Sequence, residues 1–323
     1  MKGKRLLSPA RVSLPPMTAV PPPVLCHTLR VRHLYDCPLR WADMDSLGHV
    51  NNVVYVDYLQ EARVDMMRIQ APGPEAAELA EGVVVVSHEL EYARPLVFAP
   101  EPVRIESWVE QVRAASFRLG YEVVDAGPDR RVYLRASSLL APFSFTDDRP
   151  RRIRDDERTA LGVYTGEPVV ERGPRSSVPD LRGSSPAHTY SCRVRWSDID
   201  SYGHVNNVKY VEYCQEARIA FISSLAAAEP GVGTVGGFVV ARFDISYQRP
   251  IEFRLEPVQV STWLTRIGRS SFELQAAVHD EETVFATARA VLVGFDPAAG
   301  RSRPLGDSER KSFESVLVSV RRR

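Results

Sequence analysis

Two carboxylates one residue apart, followed by a glycine, a histidine and two asparagines, occur twice on this chain. Asp43-Met44-Asp45-Ser46-Leu47-Gly48-His49-Val50-Asn51-Asn52 returns as Asp198-Ile199-Asp200-Ser201-Tyr202-Gly203-His204-Val205-Asn206-Asn207. These residue types can transfer an acyl group to water. A carboxylate attacks a carbonyl carbon or draws a proton from a water. The first N–H groups of a following helix have no intrahelical partner and carry partial positive charge, so one of them can polarise the carbonyl oxygen. Gly48 and Gly203 permit a positive φ or close approach of backbone to a ligand. His49 and His204 are candidate acid/base groups or ligand contacts. Asn51, Asn52, Asn206 and Asn207 are candidate helix caps, and a cap there orients the amide donor. The alternative for every one of these residues is structural, since Asp, Gly and Asn favour a turn before a helix with no ligand present.

Asp-x-Asp also occurs in magnesium sites. Here His and Val follow in place of further oxygen ligands, so no metal is expected. No cofactor is expected either: the chain has no Gly-rich phosphate loop, no Gly-x-Ser-x-Gly elbow and no recognisable Cys/His dyad.

The elements that must position these groups are also repeated. From His33/His188 to Arg63/Arg218 there are 21 identities in 31 positions at an offset of 155 residues (188 − 33). A period that long is a duplicated domain, and 323 residues accommodate two. The expected division is a disordered Pro-rich leader over 1–27, a first domain over 28–161, a Gly/Pro/Ser/Arg-rich linker over 162–187 and a second domain over 188–323. In each domain His33–Trp41 or its copy reads as a strand. A helix then runs in the first domain to about Ile69, with Tyr55, Leu59, Ala62 and Met66 on its apolar face; Tyr210, Cys214, Ala217 and Phe221 form the copy. Glu61 and Glu216 lie two turns into it, and either pair with Arg63 and Arg218 or face a pocket. Four strands follow at Val83–Tyr92, Val103–Val112, Ser116–Val124 and Arg131–Phe143, repeated at Phe238–Tyr247, Val258–Ile267, Ser271–His279 and Thr283–Phe295. The four valines opening the first of these are apolar on both faces and predict burial between two layers. Short amphipathic segments, Ile153–Leu161 and Leu305–Val318, close each half. The fold class is α+β, one long helix against an antiparallel sheet, twice.

Composition excludes other classes. Lys+Arg and Asp+Glu balance at 41 each, which leaves no global field for nucleic acid or an acidic membrane. No apolar run reaches membrane-span length. Cys26, Cys37, Cys192 and Cys214 show no zinc or disulfide spacing, and a reducing, cytoplasmic setting is expected.

The run D-x-D-x-x-G-H-V-N-N-x-x-Y, with a helix reading Q-E-A-R, resembles the 4-hydroxybenzoyl-CoA thioesterase-like family of the hotdog fold in both halves. It is also similar to acyl-ACP thioesterases, whose D-x-N-x-H segment lies in the same place. Tyr92-x-Arg94-Pro95 and Tyr247-x-Arg249-Pro250 match the family's strand ending. The resemblance implies two hotdog domains in tandem, each a sheet wrapped around a long helix, packed as an intrachain pseudo-dimer with sites at the interface. It implies Asp45 and Asp200 as catalytic carboxylates, the polarising amide near Asn52 and Asn207, and His49 and His204 in the place of the acyl-ACP branch's histidine. The asparagine of that branch is Leu47 in one copy and Tyr202 in the other. The function implied is hydrolysis of acyl-CoA to acid and CoA, in fatty acid metabolism, with Asp as nucleophile or general base. Hydrolysis of acyl-ACP and non-catalytic acyl-CoA binding are the alternatives. Both copies keep both aspartates, so two competent sites are expected, although Leu47/Tyr202, Val54/Lys209 and His88/Phe243 differ between them. Further homo-oligomerisation is left open.

Overall fold

The computed structural model describes residues 31–69, 74, 79, 82–127, 129–147, 149–170, 184–228 and 237–318. The expected leader, Cys26 and the middle of the expected linker lie outside the described residues. The first half runs β1 (His33–Cys37), a 3-10 turn (Trp41–Asp43), α1 (Val54–Val64) continued by a π-helical turn (Asp65–Ile69), β2 (Val83–Tyr92), β3 (Val103–Val112), β4 (Phe117–Val124), β5 (Val132–Ser144), β6 (Arg149–Pro150) and α2 (Asp155–Leu161). The second half repeats it as β7 (His188–Cys192), a 3-10 turn (Trp196–Asp198), α3 (Asn207–Ala228), β8 (Phe238–Tyr247), β9 (Val258–Ile267), β10 (Ser271–His279), β11 (Val284–Asp296), β12 (Arg301–Ser302) and α4 (Asp307–Ser315).

All strands join one antiparallel sheet in the order β1-β3-β4-β5-β2-β8-β11-β10-β9-β7, with β6 on β5 and β12 on β11. The seam between the halves is β2 against β8, where Glu89 faces its own counterpart Asp244. Two like charges at that point would repel, and arginines offset them. Arg242 pairs with Glu91 across the seam at 2.5 Å and with Asp244 at 3.0 Å, and Arg118 pairs with Glu89 at 3.2 Å. The two halves thus form a pseudo-dimer on a continuous sheet, which removes what would otherwise be two open edges.

Each long helix lies across its own half-sheet, and the periodicity shows why. Tyr55, Leu59, Ala62 and Met66 are buried, as are Tyr210, Cys214, Ala217 and Phe221. β1 and β7 end at their cysteines rather than running on to Trp41 and Trp196. The cause is the first aspartate of each motif. Asp43 Oδ2 accepts the Arg40 N–H at 2.8 Å and closes the 3-10 turn, and Asp198 does the same for Arg195. A hydroxyl from the helix ties each turn down: Tyr58 donates to Asp43 at 2.6 Å and Tyr213 to Asp198 at 2.7 Å.

The valines opening β2 are half-buried rather than sealed between layers, and their counterparts Val239 and Val240 in β8 are half-buried because they wall a cavity. Residues 163–170, whose composition resembles a linker, run along β3: Trp108 Nε1 donates to the Glu167 carbonyl at 2.8 Å and Gly166 N–H to that of Val109 at 3.1 Å. Cys37, Cys192 and Cys214 are buried free thiols, and burial pushes Cys37 and Cys214 up to about 12 and Cys192 to about 11. They are packing residues.

Candidate active site

The motif loop is built by the second aspartate. Asp45 Oδ1 accepts the N–H groups of Leu47 (2.8 Å) and His49 (3.2 Å), while Asp45 N–H donates to the His49 carbonyl at 2.7 Å. The chain can close so tightly because Gly48 has φ +76°, and Gly203 repeats this at +82°. Space around both glycines is open, so backbone conformation alone demands them. The other oxygen of Asp45 has no hydrogen-bond partner among the described residues. Asp200 is held likewise by Tyr202 N–H at 2.9 Å and the His204 carbonyl at 2.8 Å.

The two asparagines of each pair divide the work. Asn51 and Asn206 are the caps: their Oδ1 atoms accept from Val53 and Val208 N–H, each at 3.0 Å. Asn52 and Asn207 come next, and their backbone N–H groups have no acceptor among the described residues. These are free donors at a helix start, the position from which an amide polarises a carbonyl. Tyr92 and Tyr247 hold the two carbonyls, donating to Asn52 O at 2.7 Å and Asn207 O at 2.9 Å.

A cavity of about 530 Å³ opens at the first copy. Asp45, His49, Asn51 and Asn52 line one side of it, with Tyr55 and Tyr92. The second half supplies the rest: Gln215, Arg218, Ile219 and Ile222 from α3, Phe238 to Ala241 from β8, and Leu292 and Val293 from β11. The site is therefore composite. A polar head from one half opens onto an apolar chamber from the other. Arg94 and Arg301 also line it; both are exposed and have no carboxylate partner among the described residues.

Periodicity did not reveal Arg218. It is 8% exposed, has no carboxylate within ion-pair distance among the described residues, and donates from Nη2 to Asn52 Oδ1 at 3.1 Å. Burial pulls its guanidinium below its ordinary value, though an arginine keeps its charge. The repeated Q-E-A-R was its only signal. Glu61 and Glu216, candidates on the same stretch, are exposed and line no part of the cavity; Gln215 lines it instead. His88 was likewise legible only as a difference between the copies. It is fully buried and burial, assisted by the Arg63 charge, drops it to about 3, so it is neutral. Among the described residues no group of three or more His, Cys, Asp or Glu could hold a metal ion, and no helix is long and apolar enough to cross a membrane.

The thioesterase-like superfamily matches this chain twice, over residues 39–161 and 194–314. The chain belongs to that superfamily, as two hotdog domains in tandem, and the chemistry of its class is hydrolysis of a thioester. No curated protein matches the chain. Among solved structures, a protein assigned as an oleoyl thioesterase from Lactobacillus plantarum superposes with a TM-score of 0.67 at 15% identity, covering 83% of this chain and 98% of its own. The 12:0-ACP thioesterase of Umbellularia californica gives 0.65 at 16% identity over 82% and 94%. An acyl-ACP thioesterase of Bacteroides thetaiotaomicron gives 0.60 at 17% over 81% and 97%. At these identities the likeness establishes the shared architecture.

Proposed function

We propose that the chain is an acyl-CoA thioesterase, converting acyl-CoA and water to a carboxylic acid and CoA. One observation carries the reading: Asp45, the free helix-start amide of Asn52 and an apolar chamber meet in a single cavity. The acyl chain lies among Ile219, Ile222, Phe238 and Leu292, and the thioester carbonyl oxygen points at Asn52 N–H. Asp45 then acts in one of two ways. It adds to the carbonyl carbon, the C–S bond breaks and water cleaves the resulting anhydride; or it takes a proton from a water that adds in its place. On either route the negative charge forming on the carbonyl oxygen is stabilised by that amide, the sulfur leaves as thiolate, and the thiolate takes up a proton. His49, on the same loop as Asp45, is the neighbouring group able to hand one over. Gly48 and Asn51 shape the loop and aim the amide. Gly203, His204, Asn206, Asn207 and Asp200 repeat these parts in the second half.

The exposed guanidinium groups of Arg94 and Arg301 at the cavity fit the phosphates of CoA. Acyl-ACP is the second reading, since two of the solved relatives are acyl-ACP thioesterases. A CoA substrate would place the work in cytoplasmic fatty acid metabolism. The test is thiol release from short, long and aromatic acyl-CoAs and from acyl-ACP, using wild type and the Asp45→Asn/Asp200→Asn double variant. Turnover on CoA esters that disappears in the double variant is expected. Turnover on acyl-ACP alone would move the assignment to the second reading, and binding without turnover would make the chain a non-catalytic acyl-CoA-binding module.

A further inference from the structure

Arg218 is a wall of two spaces. On one side is the large cavity. On the other, between α3 and the strands β8 to β11, lies a small internal cavity of about 10 Å³, room for one water-sized sphere. Two other polar side chains line it, Thr262 and Cys214; the remaining walls are apolar, Ala276, Ala288 and Ala290 among them. The Thr262 hydroxyl oxygen is buried and has no hydrogen-bond partner among the described residues. The Cys214 thiol is neutral, since burial pushes it up to about 12.

A comparison of the halves shows why this space exists. Ala276 pairs with Thr262 on β9; at the same place in the first half Tyr121 pairs with Ser107 on β3. Where α3 carries Cys214, α1 carries Leu59. Tyr121 and Leu59 are both fully buried and fill the first half. Tyr121 also brings an oxygen near its own half's arginine: burial raises the pKa of its hydroxyl, and the Arg63 charge opposes the rise. In the second half both side chains are cut back and the phenol oxygen is gone. The arginine there is nonetheless the deeper one, 8% exposed where Arg63 is half-buried.

A cation so placed needs a counter-charge. Arg218 donates to the neutral Asn52 Oδ1, while Glu216 on the same helix is exposed and makes no ion pair with it among the described residues. Water in the large cavity can hydrate one side of the guanidinium, but an apolar ligand there would displace it. The small cavity is the place where a partner can stay. Its lining offers N–H and O–H donors and no carboxylate. A water there would satisfy the Thr262 hydroxyl and leave the charge uncompensated, whereas an anion meets both.

We propose that the small cavity is a binding site for a small monovalent anion, chloride or bromide, held between the Arg218 guanidinium and the Thr262 hydroxyl. The anion neutralises Arg218 from behind while Arg218 holds Asn52 in front. Anion binding here is independent of the thioester reading, and its readouts require no turnover.

The thermal midpoint of the full chain is measured as sodium chloride replaces sodium gluconate at constant ionic strength, gluconate being too large to enter. An anion that binds only the folded chain raises the midpoint by about 2 °C for each tenfold increase above its dissociation constant. A rise of about 2–4 °C between about 1 and 100 mM chloride is expected, and the same with bromide. Arg218→Met and Thr262→Val should melt near wild type in gluconate and lose the response to chloride. Ala276→Tyr, which puts the first half's phenol into the space, should lose it too. A wild-type midpoint indifferent to chloride would overturn the proposal. So would a response that survives Arg218→Met, because the anion would then be bound elsewhere. Wild-type crystals grown in sodium bromide decide the matter without any variant. One anomalous peak per chain between Arg218 and Thr262 is expected, and density there without anomalous signal would identify a water and sink the anion site.

Discussion

Arg218 Nη2 stands 3.1 Å from Asn52 Oδ1, and the two residues come from opposite halves of the chain. A guanidinium so deeply buried gains little from one neutral acceptor, since desolvating a charge costs several kcal/mol. Its retention there makes sense as positioning of the amide beside which the carbonyl is to sit. Arg218→Met is expected to lower kcat by about tenfold to a hundredfold with little change in KM, because misplaced groups lose chiefly transition-state stabilisation. The same variant should be as stable as wild type, or more stable by about 1 kcal/mol, because a buried charge is replaced by an apolar chain. Arg218→Lys should recover part of kcat. A variant that loses stability and keeps kcat would refute the role; steady-state kinetics and urea midpoints decide.

The loop glycines give a prediction independent of function. Gly48 and Gly203 hold φ near +80° with open space where a Cβ would stand. Gly48→Ala and Gly203→Ala should each cost about 1–2 kcal/mol from backbone strain alone. Asn at either position should cost less, as it tolerates this conformation better. Denaturant titration of the four variants tests the ordering.

Asp57 sets a pH dependence of stability. It lies on α1, and burial pushes its carboxyl up to about 6 from an ordinary 3.8, with Glu212 adding to the rise and Lys209 opposing it. The folded chain therefore holds this proton more tightly than the unfolded chain does. Its stabilising contribution is complete below about pH 3.8 and is lost as pH rises through 6. Asp57→Asn should be more stable than wild type at pH 8 by on the order of 1 kcal/mol, and the difference should fade towards pH 4. A difference that does not vary with pH would show that Asp57 titrates normally. Thermal midpoints across that range measure it.

Arg94 and Arg301 line the cavity without carboxylate partners among the described residues. If they meet CoA phosphates, Arg94→Ala/Arg301→Ala should raise KM for acyl-CoA about tenfold at low salt and leave kcat nearly unchanged. The gap should narrow at high salt, where exposed charges are screened. An unchanged KM at low ionic strength would remove these arginines from carrier recognition.

Much of the molecule was legible before folding because its signals are local. The repeat declared two domains, the helix period marked Tyr55, Leu59, Ala62 and Met66 as core, and strand-like runs placed β2, β3, β8, β9 and β10 at the residues where they occur. The motif loop was legible for the same reason: an aspartate that caps its own turn, a glycine at positive φ and an asparagine at a helix start all act within a few residues. The boundary of β1 was not, because it depends on Asp43 being pinned by Tyr58, a residue fifteen positions away. Nor did periodicity reveal Arg218, a charged residue on the buried side of the helix, nearly opposite the exposed Glu216. It tells which face of an element is apolar but not what that face meets. Arg218 reaches Asn52 across 166 residues of chain, and Asn207 reaches His88 across 119. Only the packing of one half on the other, through the β2–β8 seam, brings these pairs together. That packing made two nearly identical motifs into two different environments, one with Arg218 against its asparagine and the other with His88 against its own.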